Sequence, residues 1–179
     1  MMSPTMTNPS LNPFAAEPVT PTSIARLLFD SARRFAGRTA IEEDGQCLDY
    51  ADLPEQVLTI SRGLMALGIQ SGDRVGLWAP NCRQWILAAL GIHCAGAVLV
   101  PVNTRMKGAE AADILERSGC RVLFVQRQFL DVDYTALLQP HRPASLEHQV
   151  ILDADSAADT RDLGWRQFLT GAPVSYTHL

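Results

Sequence analysis

Three polar side chains follow apolar runs that have the length of buried strands. Asn103 and Arg105 come shortly after residues 98–100, and Arg127 comes shortly after residues 122–125. Open α/β sheets bind ligands outside the carboxyl ends of their strands, so these side chains stand where a ligand could reach them. For Asn103 and Arg105 we favour hydrogen bonds that stabilise the loop. For Arg127 a phosphate-facing role is retained as the less favoured hypothesis.

The other chemically capable residues are explained more simply by packing. His93 falls on the apolar face of a predicted helix, where we favour a hydrogen-bonded core histidine over a catalytic one. Trp78 and Trp85 are likewise interpreted as core residues and not as cofactor platforms. Because the chain shows no secretion signal and no Cys-x-x-Cys pair, we expect reduced and mostly buried thiols. The four cysteines are Cys47, Cys82, Cys94 and Cys120.

Several cofactor and catalytic motifs are missing from the sequence. The turn after Trp78 reads Ala-Pro-Asn-Cys, without the glycines that let a backbone approach a pyrophosphate. There is no Gly-Lys-Ser/Thr phosphate loop, no Gly-x-Ser-x-Gly elbow and no zinc-ligand spacing around His93 and Cys94. The residues therefore predict no catalytic residue and no metal ligand.

Composition excludes other classes of protein. The chain has 179 residues, 47% of them hydrophobic, which is enough for one domain with a core. Its 15 basic and 19 acidic residues give a net charge of −4, so no basic surface for nucleic acid is expected. No signal peptide and no membrane-spanning apolar run is present, which predicts a cytoplasmic protein. Residues 1–21, rich in Pro, Ser, Thr and Asn, are predicted to be a disordered leader.

One strand–helix–strand unit, residues 74–102, forms the predicted centre of the fold. Residues 75–78 and 98–100 are continuous apolar runs, which indicates parallel strands covered on both faces. Between them we expect Asn81 to cap a helix that ends at Gly96. Its predicted inward face is Trp85, Ile86, Ala89, Leu90 and His93.

Further elements flank this unit. Helices are predicted from Thr22 or Ser23 to Gly37, up to Gly68, over residues 107–118, and near Trp165. The helix that ends at Gly68 begins either at Asp49 or, with a cleaner capping box, at Asp52 with Glu55.

The remaining segments are strands and loops. Asp44-Gly45 indicates a hairpin, residues 122–125 and 150–152 indicate strands, and residues 153–162 indicate a loop. Residues 126–139 are either helical or irregular. The alternation predicts an α/β fold, a mostly parallel sheet with helices on both faces.

Two segments resemble core motifs of the adenylate-forming enzymes. Leu-Asp-Tyr-Ala-Asp-Leu at 48–53 resembles the first, and His-Cys-Ala-Gly-Ala-Val-Leu-Val-Pro-Val-Asn at 93–103 resembles the second. Gly-Asp-Arg-Val at 72–75, Ala-Pro-Asn at 79–81 and the pair Asn103 and Arg105 fall at the family's spacing. The amino-acid sequence of these motifs is most similar to that of the acyl-CoA ligase branch. Lys107 departs from it, since a Thr or Ser cap is usual there.

This resemblance implies the N-terminal part of the family's large domain. Residues 22–172 would form a partial α/β subdomain, about the family's first third. A phosphate loop with its lysine is expected after Gly171, whereas residues 173–179 resemble translated sequencing adapter and are expected to be a non-native tail.

The resemblance also implies a function for the parent enzyme. It would join a carboxylic acid to CoA using ATP and Mg²⁺, with an acyl adenylate as intermediate. We expect no catalytic residue and no cofactor in the present chain, which would supply scaffold and part of a wall of the acyl or CoA channel. By the same resemblance, Arg127 would lie in the vicinity of a CoA phosphate.

Two alternative functions remain open from the sequence. The chain could be a standalone binding or regulatory module derived from such an enzyme. It could also be part of an adenylation domain that loads a carrier protein instead of CoA. No residue pattern indicates an oligomeric state.

Overall fold

The computed structural model describes residues 23–157 and 161–171. The helices are α1 (Ile24–Arg34), α2 (Leu53–Ala66), α3 (Arg83–Cys94), α4 (Gly108–Ser118), α5 (Tyr134–Leu138) and α6 (Trp165–Thr170), with a 3-10 turn at Gln139–His141. The strands are β1 (Thr39–Glu43), β2 (Gln46–Asp49), β3 (Arg74–Trp78), β4 (Val98–Pro101), β5 (Val122–Val125), β6 (Gln128–Phe129), β7 (Val132–Asp133), β8 (His148–Ile151) and β9 (Asp162–Gly164). The predicted leader (1–21) and tail (173–179) lie outside the described residues.

A five-stranded parallel sheet carries the fold, in the order β4-β3-β5-β8-β9. Val75 of β3 pairs with Leu99 of β4 on one side and with Val122 of β5 on the other. The chain thus leaves β3 in one direction and returns to its opposite side, which makes the carboxyl end of β3 a topological switch point. The predicted α/β class with a mostly parallel sheet is confirmed.

Alternate residues of each central strand supply two separate core layers. Leu77 and Phe124 pack with the inner faces of α2, α3 and α6. Trp78 and Leu123 point to the other side and pack with α4 and α5. This two-sided burial explains the continuous apolar runs in β3 and β5.

Strand β4 does not fit that explanation. It is an edge strand whose two end residues are exposed and whose two middle residues are half-buried, with Val98 48% exposed. The expectation that both of its faces are covered therefore holds only in part: Leu99 packs against one core layer and Val100 against the other, while both ends of the strand are exposed. A proline at its end is compatible with an edge, because an edge strand has no second ladder to complete.

Helix α3 begins and faces differently from the prediction. Cys82, and not Asn81, caps it, since the thiol accepts from the N–H of Trp85 at 3.4 Å. The buried residues of the helix are Leu87, Ala88, Ala89, Gly91 and Ile92. Of the predicted inward face, Ala89 is buried, Trp85 and Leu90 are half-buried against the same core, and Ile86 is exposed. Because α3 is apolar almost all round, its periodicity does not select one face.

Small residues decide the orientation of α3. A methyl group at Gly91 would lie 2.5 Å from Cγ2 of Ile60 and 3.4 Å from the carbonyl oxygen of Val57, both on α2. The two helices therefore approach closely at this point. Ala88 and Ile92, one turn apart on the same side, are fully buried.

Helix α2 confirms one of its predicted ends and corrects the other. It begins after Asp52, but the Asp52 side chain makes no capping hydrogen bond, and Glu55 instead pairs with Arg62 at 2.8 Å. The predicted capping box is thus wrong. At the other end Gly68 adopts a φ of 78° and the N–H of Ile69 donates to the carbonyl of Leu64 at 3.0 Å, the expected helix stop.

The flanking elements agree with the prediction, apart from strands β6, β7 and β9, which the sequence did not indicate. Ser23 caps α1 through its hydroxyl, which accepts from the N–H of Arg26 at 3.1 Å. The hairpin turns at Asp44-Gly45, both with positive φ. Residues 126–139 contain both a short hairpin, β6 and β7, and helix α5. Strand β9, at the end of the predicted loop, is an element that the sequence did not indicate.

Candidate functional site

A cleft of about 520 Å³ opens at the carboxyl ends of β3 and β4. Open α/β sheets bind ligands at this edge, outside the carboxyl ends of their strands. Its lining comes from the turn after β3, the loop after β4, the first turn of α3 and the β6 strand. The lining residues are Ala79, Pro80, Asn81, Trp85, Pro101, Val102, Asn103, Thr104 and Phe129.

Trp78 fixes the loop that forms the floor of this cleft. The indole Nε1–H donates to the carbonyl oxygen of Asn103 at 3.1 Å, and its ring meets Tyr134 edge-on with centroids 4.8 Å apart. The Tyr134 hydroxyl donates to the carbonyl oxygen of Thr104 at 2.9 Å. Trp78 is fully buried, which confirms its interpretation as a core residue. Trp85 is only half-buried and lines the cleft.

Asn103 and Arg105 form a local turn, as expected. The Oδ1 atom of Asn103 accepts from the backbone N–H of Arg105 at 2.9 Å, which confirms a loop-stabilising role. The Asn103 side chain also lines the cleft, whereas Arg105 is exposed and outside the lining. Of these two neighbouring residues, only Asn103 therefore stands where a ligand in the cleft could reach it.

Arg127 lies away from the cleft, at the carboxyl end of β5. Its backbone N–H donates to Oδ1 of Asp153 at 2.7 Å, and the N–H of Gln128 donates to Oδ2 at 3.0 Å. This carboxylate ties the end of β5 to the end of β8. No contact in the structure tests the hypothesis of a CoA phosphate near Arg127, which stays a prediction.

The Asp133 carboxylate lies close enough to Arg127 for the two charges to interact. Burial tends to raise the pKa of Asp133, but hydrogen bonds from the Ala136 N–H and from Thr135, together with the charge of Arg127, hold it below its ordinary value. Asp133 is therefore ionised at neutral pH and partly compensates the charge of Arg127. An incoming phosphate would meet that negative charge as well.

The thiols and His93 supply no activated nucleophile to the cleft. Burial raises the pKa of Cys82, Cys94 and Cys120, and at Cys82 this outweighs the N–H of Trp85, which lowers it. All four cysteines are free, but Cys120 alone is buried, so the expectation of mostly buried thiols is wrong. His93 is half-buried on α3 and not in the core.

The described lining of the cleft offers a ligand amide groups and aromatic rings. Its lining in the described chain is uncharged, combining the Asn81 and Asn103 amides with the Trp85 and Phe129 rings. Within residues 23–157 and 161–171, no three His, Cys, Asp or Glu side chains converge to hold a metal ion. No helix in that part of the chain is long and apolar enough to cross a bilayer.

The structure is thus an α/β domain with a parallel sheet and an uncharged cleft at the carboxyl ends of β3 and β4. The family model described as AMP-binding enzyme matches residues 28–175. The chain therefore belongs to the AMP-binding enzyme family, as the resemblance predicted.

Individual relatives are CoA ligases by name. The chain is 36% identical over 153 residues to a methyl-dioxo-octahydroindenyl-propanoyl:CoA ligase of Mycobacterium tuberculosis, covering 85% of this chain and 29% of the relative. It is 33% identical over 120 residues to a mitochondrial medium-chain acyl-CoA ligase of Mus musculus, covering 66% of this chain and 20% of the relative. The chain thus spans less than a third of the length of these curated relatives.

Solved structures show the same fold. An anthranilate CoA ligase in complex with anthranoyl-AMP matches with a TM-score of 0.75 at 24% identity, over 86% of this chain and 29% of that one. A coronafacic acid ligase from Pectobacterium brasiliense matches with a TM-score of 0.75 at 18% identity, over 87% and 31%. At these identities the likeness concerns the fold alone.

Proposed function

We propose that this chain is the N-terminal part of an ATP-dependent acyl-CoA ligase. The parent enzyme joins a carboxylic acid to CoA and releases AMP and pyrophosphate, using ATP and Mg²⁺. The observation that carries the proposal is the cleft. Its floor, residues 101–104, includes the last three residues of the motif at 93–103, in a chain of the AMP-binding enzyme family. A cytoplasmic location is part of this proposal, although the mouse relative is named as mitochondrial.

The cleft suits one wall of the channel that admits CoA or the acyl group. Its amides can exchange hydrogen bonds with the two amide groups of a pantetheine arm, and its aromatic rings can pack against an alkyl segment. Its uncharged lining gives no reason to place phosphates there. The lining of residues 101–104 therefore fits the neutral arm of CoA better than its charged nucleotide end.

The acid that the parent enzyme activates belongs to one of two groups. The Mycobacterium tuberculosis relative is named for a bicyclic propanoic acid and the mouse relative for medium-chain acids. The Mycobacterium tuberculosis relative is 36% identical to this chain and the mouse relative 33%, which favours the bicyclic type of acid. In this proposal the chain contributes to binding, and the groups that carry out the chemical step are expected after Gly171.

The test compares two lengths of the gene product. We expect the coding sequence to continue past Gly171 into a Ser/Thr/Gly-rich loop with a lysine. The extended protein should then show carboxylate-dependent exchange of pyrophosphate into ATP and form acyl-CoA. The 179-residue chain should show no exchange, because the groups that polarise the phosphates are not among its residues.

Two results would contradict the proposal. Robust exchange by the 179-residue chain would mean that it holds a complete catalytic site. An extended protein that transfers its acyl group to a carrier protein and not to CoA would make it an adenylation domain of the carrier-loading type.

A further inference from the structure

A second pocket lies apart from the cleft, among helices α2, α3 and α6. It has a volume of about 220 Å³ and an apolar wall made by Ile60, Leu87, Trp165 and Leu169. A polar space of about 320 Å³ shares Leu87, Trp165 and Gln56 with it. The two spaces therefore adjoin, so that one molecule could occupy both.

The apolar wall of this pocket is rigid. The ring centroid of Trp165 lies 6.2 Å from the centroids of both Phe124 and Phe168. The centroids of Phe124 and Phe168 are 5.4 Å apart, and these two rings are nearly perpendicular. Phe168 in turn sits against Gly63, where a methyl group would lie 2.6 Å from its ring. A wall fixed by packing needs little ordering when a ligand enters.

Arg83 provides an uncommitted positive charge at the polar end. Its Nη2 atom donates to the neutral amide oxygen of Gln56 at 3.4 Å, and within the described residues no carboxylate forms an ion pair with it. The nearby Glu43 carboxylate accepts from the backbone N–H of Arg83 at 3.0 Å. Gln46 and Gln84 line the same space and add amide donors.

We propose that this pocket binds a monocarboxylic acid with an alkyl body. The carboxylate accepts from the Arg83 guanidinium, a geometry that arginine satisfies in bidentate fashion, while the apolar body packs against Trp165 and Leu169. Glu43 nearby favours a singly charged anion over a doubly charged phosphate. This site is separate from the cleft and does not depend on ligase activity.

The test is a calorimetric titration of the purified 179-residue chain with octanoate, octanol and octyl phosphate, without ATP or CoA. We expect saturable binding of one octanoate, with octanol about tenfold weaker because it lacks the charge-assisted hydrogen bonds. Octyl phosphate should bind more weakly than octanoate.

Variants separate the two halves of the site. Arg83→Gln should weaken octanoate to the level of octanol, whereas Thr59→Phe, which fills the apolar end, should weaken both. Arg117→Gln removes an exposed arginine on α4 and should leave all three titrations unchanged. Circular dichroism of each variant checks that it is folded.

Four outcomes would overturn the proposal, and the first three concern octanoate. These are no saturable binding, equal binding of octanoate and octanol, and unchanged octanoate binding in a folded Arg83→Gln variant. Tighter binding of octyl phosphate would likewise exclude the carboxylic acid as the ligand. Because no ligase substrate other than the acid is present, a failure of the proposed ligase function would not change any of these results.

Discussion

Asn103 is held at two of its atoms, which makes it the residue through which the cleft can be tested. Its carbonyl oxygen accepts from Trp78 and its Oδ1 accepts from the N–H of Arg105. The backbone is therefore fixed independently of the side chain. Removing the amide should change the lining of the cleft while Trp78 keeps the loop in place.

We expect Asn103→Ala in the extended ligase to raise the KM for CoA about three- to tenfold, the worth of one neutral hydrogen bond. The KM for ATP should stay the same, because the cleft wall carries no phosphate-binding group. Steady-state kinetics with each substrate varied in turn measures both. Arg105→Ala is the control, since its side chain is exposed and outside the lining. An equal rise in both KM values would show that the loop as a whole had moved.

Sequence reasoning found Asn103 and its loop but not its neighbours. A polar residue after a buried strand is a local signal, so its position at the sheet edge could be predicted. The contribution of Phe129 could not, because it reaches the cleft through the β6–β7 hairpin, where Leu130 and Asp131 adopt positive φ without a glycine to announce the turn. The position of Arg83 beside a pocket lined by α6 likewise depends on contacts between residues that are far apart in the sequence.

At the scale of elements, the packing of α2 against α3 determines which side of α3 is buried. The strands and most helix ends follow from local patterns: length, continuous apolarity, and a glycine with positive φ after the last turn. The face of α3 does not, since apolar residues occur all around it. Only the close approach of Ile60 to Gly91 distinguishes the faces, and that contact joins residues 31 positions apart.

Gly91→Ala should therefore destabilise the chain by about 1–3 kcal/mol. At an exposed helical position the same change would stabilise by up to about 1 kcal/mol, because alanine is the better helix former. Here the added methyl group meets the branched Cβ and Cγ2 atoms of Ile60, which cannot move aside easily.

Urea unfolding followed by circular dichroism measures the difference. Gly37→Ala, in the turn after α1, is the control for an added methyl group without a neighbour, since nothing lies within 4 Å of it. A stabilised Gly91→Ala variant would mean that α2 and α3 are further apart than described.

At the scale of the whole molecule, Arg121 joins segments that are distant along the chain. Its guanidinium pairs with Asp73 before β3 and with Glu147 before β8, and it donates to the carbonyl of Gly68 after α2. The backbone N–H of Gln70 and then Arg121 lower the pKa of Asp73, and Arg121 lowers the pKa of Glu147. The amino ends of the sheet strands are thus linked through ionised carboxylates.

Acid should weaken the fold through this group. A carboxyl whose pKa is lower in the folded chain binds fewer protons there than when unfolded, so its contribution is complete above its ordinary pKa and is lost as the pH falls towards the folded value. From the ordinary values of 3.8 for Asp73 and 4.5 for Glu147, the loss begins below about pH 5. Urea midpoints between pH 7 and pH 3 measure it.

Arg121→Gln should be less stable than the unmodified chain at pH 7 and should lose less stability on acidification. Arg117→Gln, which removes an exposed pair with Asp113, should follow the unmodified pH profile. An unchanged acid limb in Arg121→Gln would place the proton-linked groups elsewhere.

The edge position of β4 limits how the sheet can grow. Along its outer side, the main-chain N–H and C=O groups have no ladder partner in the described part of the chain. A further strand, from this polypeptide or another, could extend the sheet there, but Pro101 has no N–H to offer. Any such extension is therefore confined to residues 98–100, and its outermost rung is followed directly by the first residue of the cleft floor, Pro101.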